Sequence, residues 1–454
     1  MQALSQTQAE LAEAESYLPR FVWRELAGII DCGVIDKGFV RVVCSDCQHE
    51  RLVGFSCKGR GVCSSCVGRK MNELSLHLFD HVVPEVPLRQ FVLTLPVPLR
   101  FLVARDPHLL AAVRTVFLRA LKSFVGKKAR SVYSTKVLLP AGFCVVQRFG
   151  SALQLAPHLH AILFDGAYRK DDAGQLHFVA APAVTPAERL TLVTTIAARI
   201  ERLLARRGLK KDDQWTEAVT DNDASPMLQL ATLAMKLPAA PTGAPRNRAD
   251  ASASAVRGFN LHSETRVSAS DDSGRLRLFR YVLRPAIAEE RLRFDGAVVT
   301  FEMKRTFSDG TRVLTFTPQS FIRRIALLVP APRQHEITYF GLLAANAKQR
   351  ADIVRVPTHR RKPRVAGSEP VAAAHHPVSD DSQSPTMHWA DLLKRTFAFD
   401  VLHCQQCGGR ARVVAAITER KVIDQILAHL GAATAAHPAR APPSRSLPRQ
   451  TLLI

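Results

Sequence analysis

Six of the nine cysteines lie between residues 32 and 66, and this clustering restricts the fold of the amino-terminal region more than any other feature of the chain. Two Cys-x2-Cys pairs within this stretch are separated by fifteen residues. Paired thiolates at such a spacing close a tetrahedral shell around one zinc ion. We therefore predict a structural Zn²⁺ in a small zinc-binding domain over residues 1–75. The predicted ligands are Cys44, Cys47, Cys63 and Cys66.

The other cysteines near the two ends leave alternatives open. Cys32 and Cys57 lie close to the two pairs and could each replace one of the four predicted ligands. Cys404 and Cys407 form a third Cys-x2-Cys pair, followed by two glycines, with no second pair in their neighbourhood. This third pair either binds a metal together with a histidine or forms a buried turn, and its isolation favours the turn.

The charge of the chain predicts a polyanionic partner. Its formal net charge is +22 and its pI is near 10.1, which favours nucleic acid over a merely solvated basic surface. No run of about 18 apolar residues occurs, so we expect no membrane span. The amino-terminal residues lack the pattern of a signal peptide, and we therefore expect a cytoplasmic protein whose cysteines are reduced.

Composition and periodicity divide the remaining sequence. We predict a catalytic domain over 86–330 that contains a mobile Pro/Ala/Gly/Ser-rich insertion near 236–258. A basic segment and linker follow over 331–387, which includes the run 359–364. A small carboxy-terminal segment covers 388–430 and a disordered tail covers 431–454.

Local patterns predict the main elements of the catalytic domain. Apolar runs indicate strands over 90–95, 142–149 and 158–164. Helical periodicity and capping residues indicate helices over 107–124, 185–207, 275–284 and 317–329. An Asp-Gly pair at 309–310 indicates the turn of a β-hairpin.

His158 and His160 alternate along the third predicted strand, so both side chains point to the same face. Gln147, on the neighbouring strand, would approach that face. Its amide oxygen could complete a three-ligand site for Mg²⁺ or Mn²⁺, or the amide could instead satisfy backbone groups. A histidine pair without further context is more often part of a core or a surface.

Several motifs together resemble a known family. The segment HLHAILFDG is similar to the His-hydrophobe-His motif of the HUH endonuclease superfamily. Its position behind a cysteine-rich module resembles the transposases of the insertion-sequence-ninety-one family, and the similarity spans roughly residues 30–425. The other segments that carry the resemblance are RQFVLTLP, FRYVLRPAIAEERL, KRTFSDGTRVLTFTP and WADLLKRTFAFDVLHCQQCGG.

This resemblance implies an α+β fold, in which an antiparallel-sheet HUH core with helices follows a small zinc ribbon. It further implies a nucleophilic tyrosine on a helix near the metal site, and Tyr281 occupies that place. Arg280 and Arg284 on the same basic helix could hold a phosphate, with Lys127 and Lys128 as further DNA-binding candidates. Without the family, a tyrosine flanked by apolar residues would more often belong to a core.

The implied activity is cleavage and rejoining of single-stranded or hairpin-containing DNA through a 5′-phosphotyrosyl intermediate, as in rolling-circle transposition. Many relatives carry a second tyrosine four positions away, where this chain has Arg277 and Pro285. Either Tyr281 acts twice or a second subunit of a homo-oligomer contributes its own tyrosine. The alternatives are a non-catalytic zinc-ribbon DNA-binding protein, and a replication initiator or relaxase.

Overall fold

The structure, a computed structural model, describes residues 18–133, 138–209, 253–304, 306, 310–335, 337–354, 400 and 402–429. The helices in these ranges are α1 (Arg20–Asp31), α2 (Ser64–His77), α3 (Val97–Arg105), α4 (Pro107–Arg130), α5 (Pro186–Arg206), α6 (Asp272–Leu283), α7 (Pro318–Ala326), α8 (Arg350–Ile353) and α9 (Arg420–His429). Short 3-10 segments cover Ile35–Lys37 and Glu289–Arg291, and a π-helical turn covers Leu78–Val82.

The strands pair without exception in antiparallel fashion across the described residues. They are β1 (Phe39–Cys44), β2 (Glu50–Gly54), β3 (Leu88–Thr94), β4 (Leu138–Leu139), β5 (Ala141–Phe149), β6 (Leu155–Phe164), β7 (Gly166–Lys170), β8 (Leu176–Ala180), β9 (Ala253–Val256), β10 (Phe259–His262), β11 (Arg266–Val267), β12 (Leu292–Phe294), β13 (Val299–Glu302), β14 (Val313–Phe316), β15 (Ile337–Gly341) and β16 (Ala411–Ile417).

The central sheet has the order β15-β5-β6-β3-β10-β9, and β11 also pairs with β3. Helices α3, α4 and α5 cover one face, where buried residues such as Leu159 and Ala161 from β6 contribute to the largest apolar core. Alternation along β6 therefore sends His158 and His160 to the opposite face.

Helix α6 covers part of that opposite face. Leu278, Phe279 and Val282 of α6 belong to the same apolar core as Phe143 and Val145 of β5. Asp271 caps the helix by accepting a hydrogen bond from the Gly274 N–H at 2.8 Å, and Pro285 follows its end. The cap and the proline thus fix the segment that faces the two histidines.

A buried ion pair anchors the end of β6. Asp165 accepts hydrogen bonds from Arg89 Nε at 2.7 Å, Arg89 Nη2 at 3.0 Å and Arg266 Nε at 2.7 Å. Because Arg89 lies on β3, the pair holds the two neighbouring strands in register. The carboxylate is only 5% exposed, so its charge depends on these arginines for compensation.

Three smaller sheets surround the central one, with the orders β16-β1-β2, β12-β13-β14 and β4-β7-β8. In the first of these, the carboxy-terminal strand β16 pairs with β1 from the amino-terminal region. Helix α9 packs there through Ile423 and Leu427 against Phe39. The two ends of the chain therefore form one small module. None of the described helices combines the length and apolar character needed to cross a membrane.

The expected α+β class, the predicted strands and helices and the hairpin are confirmed, with α4 extending to Arg130 and α7 ending at Ala326. The predicted insertion is wrong at its end, because Ala253–Val256 forms β9 on the edge offered by β10. Residues 236–252 of that insertion, residues 355–387 of the linker with the run 359–364, and the tail 431–454 lie outside the described residues. The linker prediction is wrong in its first part, because Ile337–Gly341 forms β15 at the edge of the central sheet, paired with β5.

Candidate active site

His158 and His160 lie side by side on β6, with their ring centroids 4.8 Å apart. Gln147 stands directly opposite His158 in the β5–β6 pairing. Both His160 and Gln147 are buried. The structure therefore brings the three predicted metal ligands to one patch of the sheet.

Tyr281 on α6 stands over this patch. Its ring is 5.7 Å from the His160 ring, centroid to centroid, and nearly perpendicular to it at 85°. The side chain is 37% exposed, so a substrate can reach it from solvent.

The Gln147 amide connects the strand to this helix. Its Nε2 donates hydrogen bonds to the carbonyl oxygens of Tyr281 at 3.0 Å and Val282 at 2.9 Å. Its Oε1 is buried and has no hydrogen-bond partner among the described residues. The amide nitrogen thus satisfies backbone groups, which is one of the two predicted alternatives, while the amide oxygen is left without a partner among the described residues.

Hydrogen bonds orient the two imidazoles. His158 Nδ1 lies 2.8 Å from the Ala156 carbonyl oxygen. A carbonyl only accepts, so Nδ1 carries the proton and Nε2 keeps its lone pair. His160 Nδ1 contacts the Gln90 amide nitrogen at 2.7 Å, and His160 Nε2 is buried without a partner in the described part of the chain.

The surroundings keep both imidazoles neutral. Burial lowers the pKa of His158 to about 4, and the positive charge of Arg284 adds to this effect. Burial also holds the pKa of His160 well below its ordinary value, with further contributions from the charges of His158, Arg284 and His262. A neutral imidazole is the form that binds a metal ion.

The donor set fits a divalent cation. Two buried orphaned atoms, His160 Nε2 and Gln147 Oε1, accompany the free lone pair of His158 Nε2. One amide oxygen with two imidazole nitrogens suits Mn²⁺, or Mg²⁺ with added water ligands. These residues could hold such an ion beside Tyr281.

Two of the four predicted DNA-binding residues lie at this site. Arg284 places its guanidinium 4.8 Å from the centre of the Tyr281 ring, and Arg280 is the residue before Tyr281 on α6. Lys127 and Lys128 lie instead at the carboxy-terminal end of α4. Lys128 Nζ bonds both carboxylate oxygens of Glu188, at 2.6 and 2.8 Å. The structure does not bring these two lysines to the tyrosine.

A basic cleft of about 260 Å³ borders the site and shares Gln147 and Arg284 with it. The wall contains no carboxylate among the described residues. It runs between the cysteine-rich domain, β5, the end of α6 and the residues after α7. Its cationic residues are Arg60, Lys70, Arg114, Arg148, Arg284 and Arg333.

The cysteines form two clusters, and the single four-cysteine site predicted from spacing is wrong. The amino-terminal cysteine cluster contains Cys32, Cys57, Cys63 and Cys66, and the bridging cysteine cluster contains Cys44, Cys47, Cys404 and Cys407. In each, the sulfur atoms lie within 4.8 Å of one another. Cys404 and Cys407 do lie on a turn, as predicted, with Cys404 buried, but this turn is not isolated, because it lies against Cys44 and Cys47.

The physical reason is the direction of the strands. Cys44 ends β1, which pairs with β16, and the backbone N–H of Ser45 donates to the Arg410 carbonyl at 2.8 Å. This pairing places the first predicted pair of ligands beside Cys404 and Cys407. Cys32 and Cys57, instead of Cys44 and Cys47, lie next to Cys63 and Cys66.

Backbone and thiol hydrogen bonds lower the pKa of Cys404 in the bridging cysteine cluster and of Cys32 and Cys66 in the amino-terminal cysteine cluster, which favours their thiolates. N–H groups of Cys407 and Gln406 lower the pKa of the Cys404 thiol to about 6. Hydrogen bonding with Cys57 lowers the pKa of the Cys32 thiol to about 7. The thiolate is the form of cysteine that binds zinc.

Sequence reasoning missed two residues near the histidines. Gln90 contacts His160, and His262 lies on β10, which pairs with β3. A polar residue in the apolar run RQFVLTLP is the same signal that identified Gln147, so Gln90 could have been found from the sequence. His262 carries no comparable signal, because its short strand shows no distinctive pattern.

Two family models match the chain. Residues 3–95 match a family described as "Transposase zinc-binding domain", of the insertion-sequence-ninety-one type. Residues 142–351 match a family described as "Putative transposase". No match was found among the curated proteins or among the solved structures.

Proposed function

Since the chain is a transposase of the insertion-sequence-ninety-one type, with the zinc-binding and transposase domains of that group, we propose that it cuts and rejoins single-stranded DNA with Tyr281 as nucleophile. The proposed product of cutting is a 5′-phosphotyrosyl link with a free 3′-hydroxyl. Repeated cutting and rejoining would drive rolling-circle-type transposition in the cytoplasm.

One observation carries this proposal: the exposed Tyr281 ring stands 5.7 Å from the buried ring of His160, whose Nε2 has no partner among the described residues. Two buried polar atoms without a partner within the described ranges, His160 Nε2 and Gln147 Oε1, belong to residues that contact Tyr281, which is not expected around a tyrosine with a packing role alone. A buried polar atom without a partner destabilises the fold, unless a bound ligand supplies the missing interaction.

The chemistry requires one bond to form and one to break. The Tyr281 oxygen would attack phosphorus, its proton would pass to solvent, and the bond from phosphorus to the 3′ oxygen would break. The departing 3′ oxygen would take a proton. Because one phosphodiester replaces another, a later attack by a 3′-hydroxyl can reverse the step without ATP.

The residues around Tyr281 would prepare this step. Arg284 lies over the ring at 4.8 Å, where its charge would hold a bound phosphate. Gln147 fixes the end of α6 through the carbonyls of Tyr281 and Val282, which holds the phenol in place. His158, His160 and Gln147 would hold a Mn²⁺ or Mg²⁺ ion, which would polarise a non-bridging phosphate oxygen.

Ion binding at His160 requires its Nε2 lone pair. Gln90 must then present its amide oxygen to Nδ1 and accept a hydrogen bond from the Nδ1–H group. This is the other orientation of the amide that contacts His160 at 2.7 Å, and the two orientations have nearly the same shape. Gln90 would thereby orient His160 as a ligand.

The basic cleft supplies the path for DNA. Its six cationic side chains and lack of carboxylates favour a polyanionic strand. The proposed substrate is a single strand or a hairpin tip, whose flexible backbone can follow a basic groove. Tyr281 would act twice, or a second subunit would supply its own tyrosine for strand transfer.

Covalent capture tests the proposal. Purified protein would be incubated with Mn²⁺ and labelled single-stranded DNA that carries the end sequences of the mobile element. A denaturing gel would then show whether a covalent protein-DNA adduct forms. We expect the adduct with wild-type protein and with the control Tyr339→Phe. It should be lost in Tyr281→Phe and in His158→Ala, and peptide mapping should identify Tyr281.

The remaining outcomes separate the alternatives. An adduct that persists in Tyr281→Phe would show that another residue is the nucleophile. Specific DNA binding without any adduct would indicate the non-catalytic DNA-binding protein. Cleavage restricted to a plasmid origin would indicate a replication initiator or relaxase, and equal cutting of duplex ends would refute the single-strand requirement.

A further inference from the structure

The bridging cysteine cluster takes half of its sulfur atoms from each end of the chain. Cys47 and Cys404 are 357 residues apart in sequence, and their sulfur atoms are 3.6 Å apart. The matched zinc-binding family ends at residue 95, so it contains only Cys44 and Cys47 of this cluster. The cluster is therefore distinct from the four cysteines that lie wholly inside that domain.

The sulfur positions have the geometry of a metal site. Cys44 and Cys407 are 3.5 Å apart, sulfur to sulfur, and all four sulfur atoms lie within 4.8 Å of one another. Zinc–sulfur bonds of about 2.3 Å in a tetrahedron place the sulfur atoms about 3.8 Å apart. A disulfide needs about 2.05 Å. The spacing matches four ligands around one ion and is too long for two disulfides.

The two turns that carry the cysteines share a backbone feature. A residue with positive φ directly follows the second cysteine of each pair, namely Gln48 at 57° and Gly408 at 75°. In the second turn the Gly409 N–H points at Cys407 Sγ, at 3.4 Å. Both turns thus reverse the chain behind their cysteines and direct paired sulfur atoms towards the same point.

We propose that the bridging cysteine cluster binds a second Zn²⁺ ion, which fastens the carboxy-terminal segment 402–429 to the amino-terminal zinc domain. Four thiolates select zinc over Mg²⁺ or Mn²⁺. A closed shell of four protein ligands leaves no position for substrate, so the role is structural. The proposal does not depend on the chemistry at Tyr281.

The packing around the ion explains why a metal is needed there. The module formed by the two chain ends has a small core, in which Phe39 contacts Ile423 and Leu427. Strand β16 pairs with β1 through backbone hydrogen bonds, and Arg420 donates a hydrogen bond to the Asp36 carbonyl at 3.0 Å. A core of this size buries little apolar surface, and a structural zinc ion supplies the missing folding free energy.

Zinc content tests the proposal directly. Elemental analysis of the purified full-length protein should give two zinc ions per chain. Cys404→Ser should retain one ion, Cys66→Ser should retain the other, and the control Cys144→Ser should retain both. One ion per chain in the wild type, or unchanged zinc in Cys404→Ser, would overturn the proposal.

Double variants identify which cysteines share an ion. Cys44→Ser combined with Cys404→Ser should lose no more than either alone and keep one zinc. Cys44→Ser combined with Cys66→Ser should bind none. If Cys44 and Cys66 instead shared an ion, their double variant would keep one zinc.

A measurement on wild-type protein covers the case in which the serine variants fail to fold. Apoprotein refolded with Co²⁺ should show the sulfur-to-cobalt absorption of tetrahedral thiolate sites rising up to two equivalents. Saturation at one equivalent would contradict a second ion. Cys404→His, which keeps a zinc ligand at that position, should still bind two.

Discussion

The ion pair that anchors β6 offers a sharp test of how the site is held. Asp165→Asn removes a charge from a carboxylate that is 5% exposed and is bonded by two arginines. Arg89, itself 6% exposed, would keep its buried charge without the compensating carboxylate. Breaking a buried pair from one side costs about 3–5 kcal/mol of unfolding free energy. For a domain of this size the loss lowers Tm by about 6–20 °C.

The matched control replaces a carboxylate by the isosteric amide in a solvent-exposed ion pair. Glu302 and Arg312 are 43% and 66% exposed, so Glu302→Gln should cost no more than about 1 kcal/mol. Scanning calorimetry and circular dichroism of both variants would measure the difference. If Asp165→Asn shifted the transition no more than Glu302→Gln did, the pair would not stabilise the β3–β6 pairing as argued.

Three further results are expected. Gln147→Leu should weaken Mn²⁺ binding at least about tenfold in calorimetric titration, whereas Gln147→Glu, which keeps an oxygen ligand, should bind Mn²⁺. Equal Mn²⁺ affinities of the wild type and Gln147→Leu would exclude the amide as a ligand. Thr185→Ala removes the capping box with Glu188 and should cost about 1 kcal/mol, and the mid-helix control Thr191→Ala should cost less in the same denaturant titration. Burial raises the pKa of the Cys144 thiol to about 12, so mass spectrometry should show alkylation about a thousandfold slower than at an ordinary thiol until the protein unfolds.

The elements that position the site could be predicted because their signals are local. Alternation in the segment PHLHAILF predicts β6 and puts both histidines on one face, as β6 shows. The Thr185-Pro186-x-Glu188 start predicts α5, and its capping box is present. These patterns depend on neighbours within a few residues, which the sequence displays directly.

The zinc ligands could not be assigned because they depend on a pairing between distant strands. Four cysteines within 44–66 satisfy the spacing rule without any other residue, so the spacing rule alone selects this local set of ligands. The actual partners of Cys44 and Cys47 follow from the alignment of β16 on β1. Nothing near residue 44 indicates that alignment.

The mistaken part of the predicted insertion has a similar cause. Residues Ala253–Val256 are small and show no alternation, yet they form β9 because β10 offers unpaired backbone groups beside them. Lys127 and Lys128 were suggested by charge alone. Arg114 of the cleft is thirteen residues earlier on the same helix, which puts Lys127 about 20 Å away along the axis.

The pairing of β16 with β1 also sets an order of events during synthesis. Until β16 leaves the ribosome, β1 has only β2 as a neighbour and exposes one side of its backbone. The 357-residue separation of Cys47 and Cys404 corresponds to roughly 20–70 s of translation. The module that contains β1 begins before the central sheet in the chain and is therefore completed after it. A nascent chain that stalls before residue 400 leaves a strand edge open to other chains.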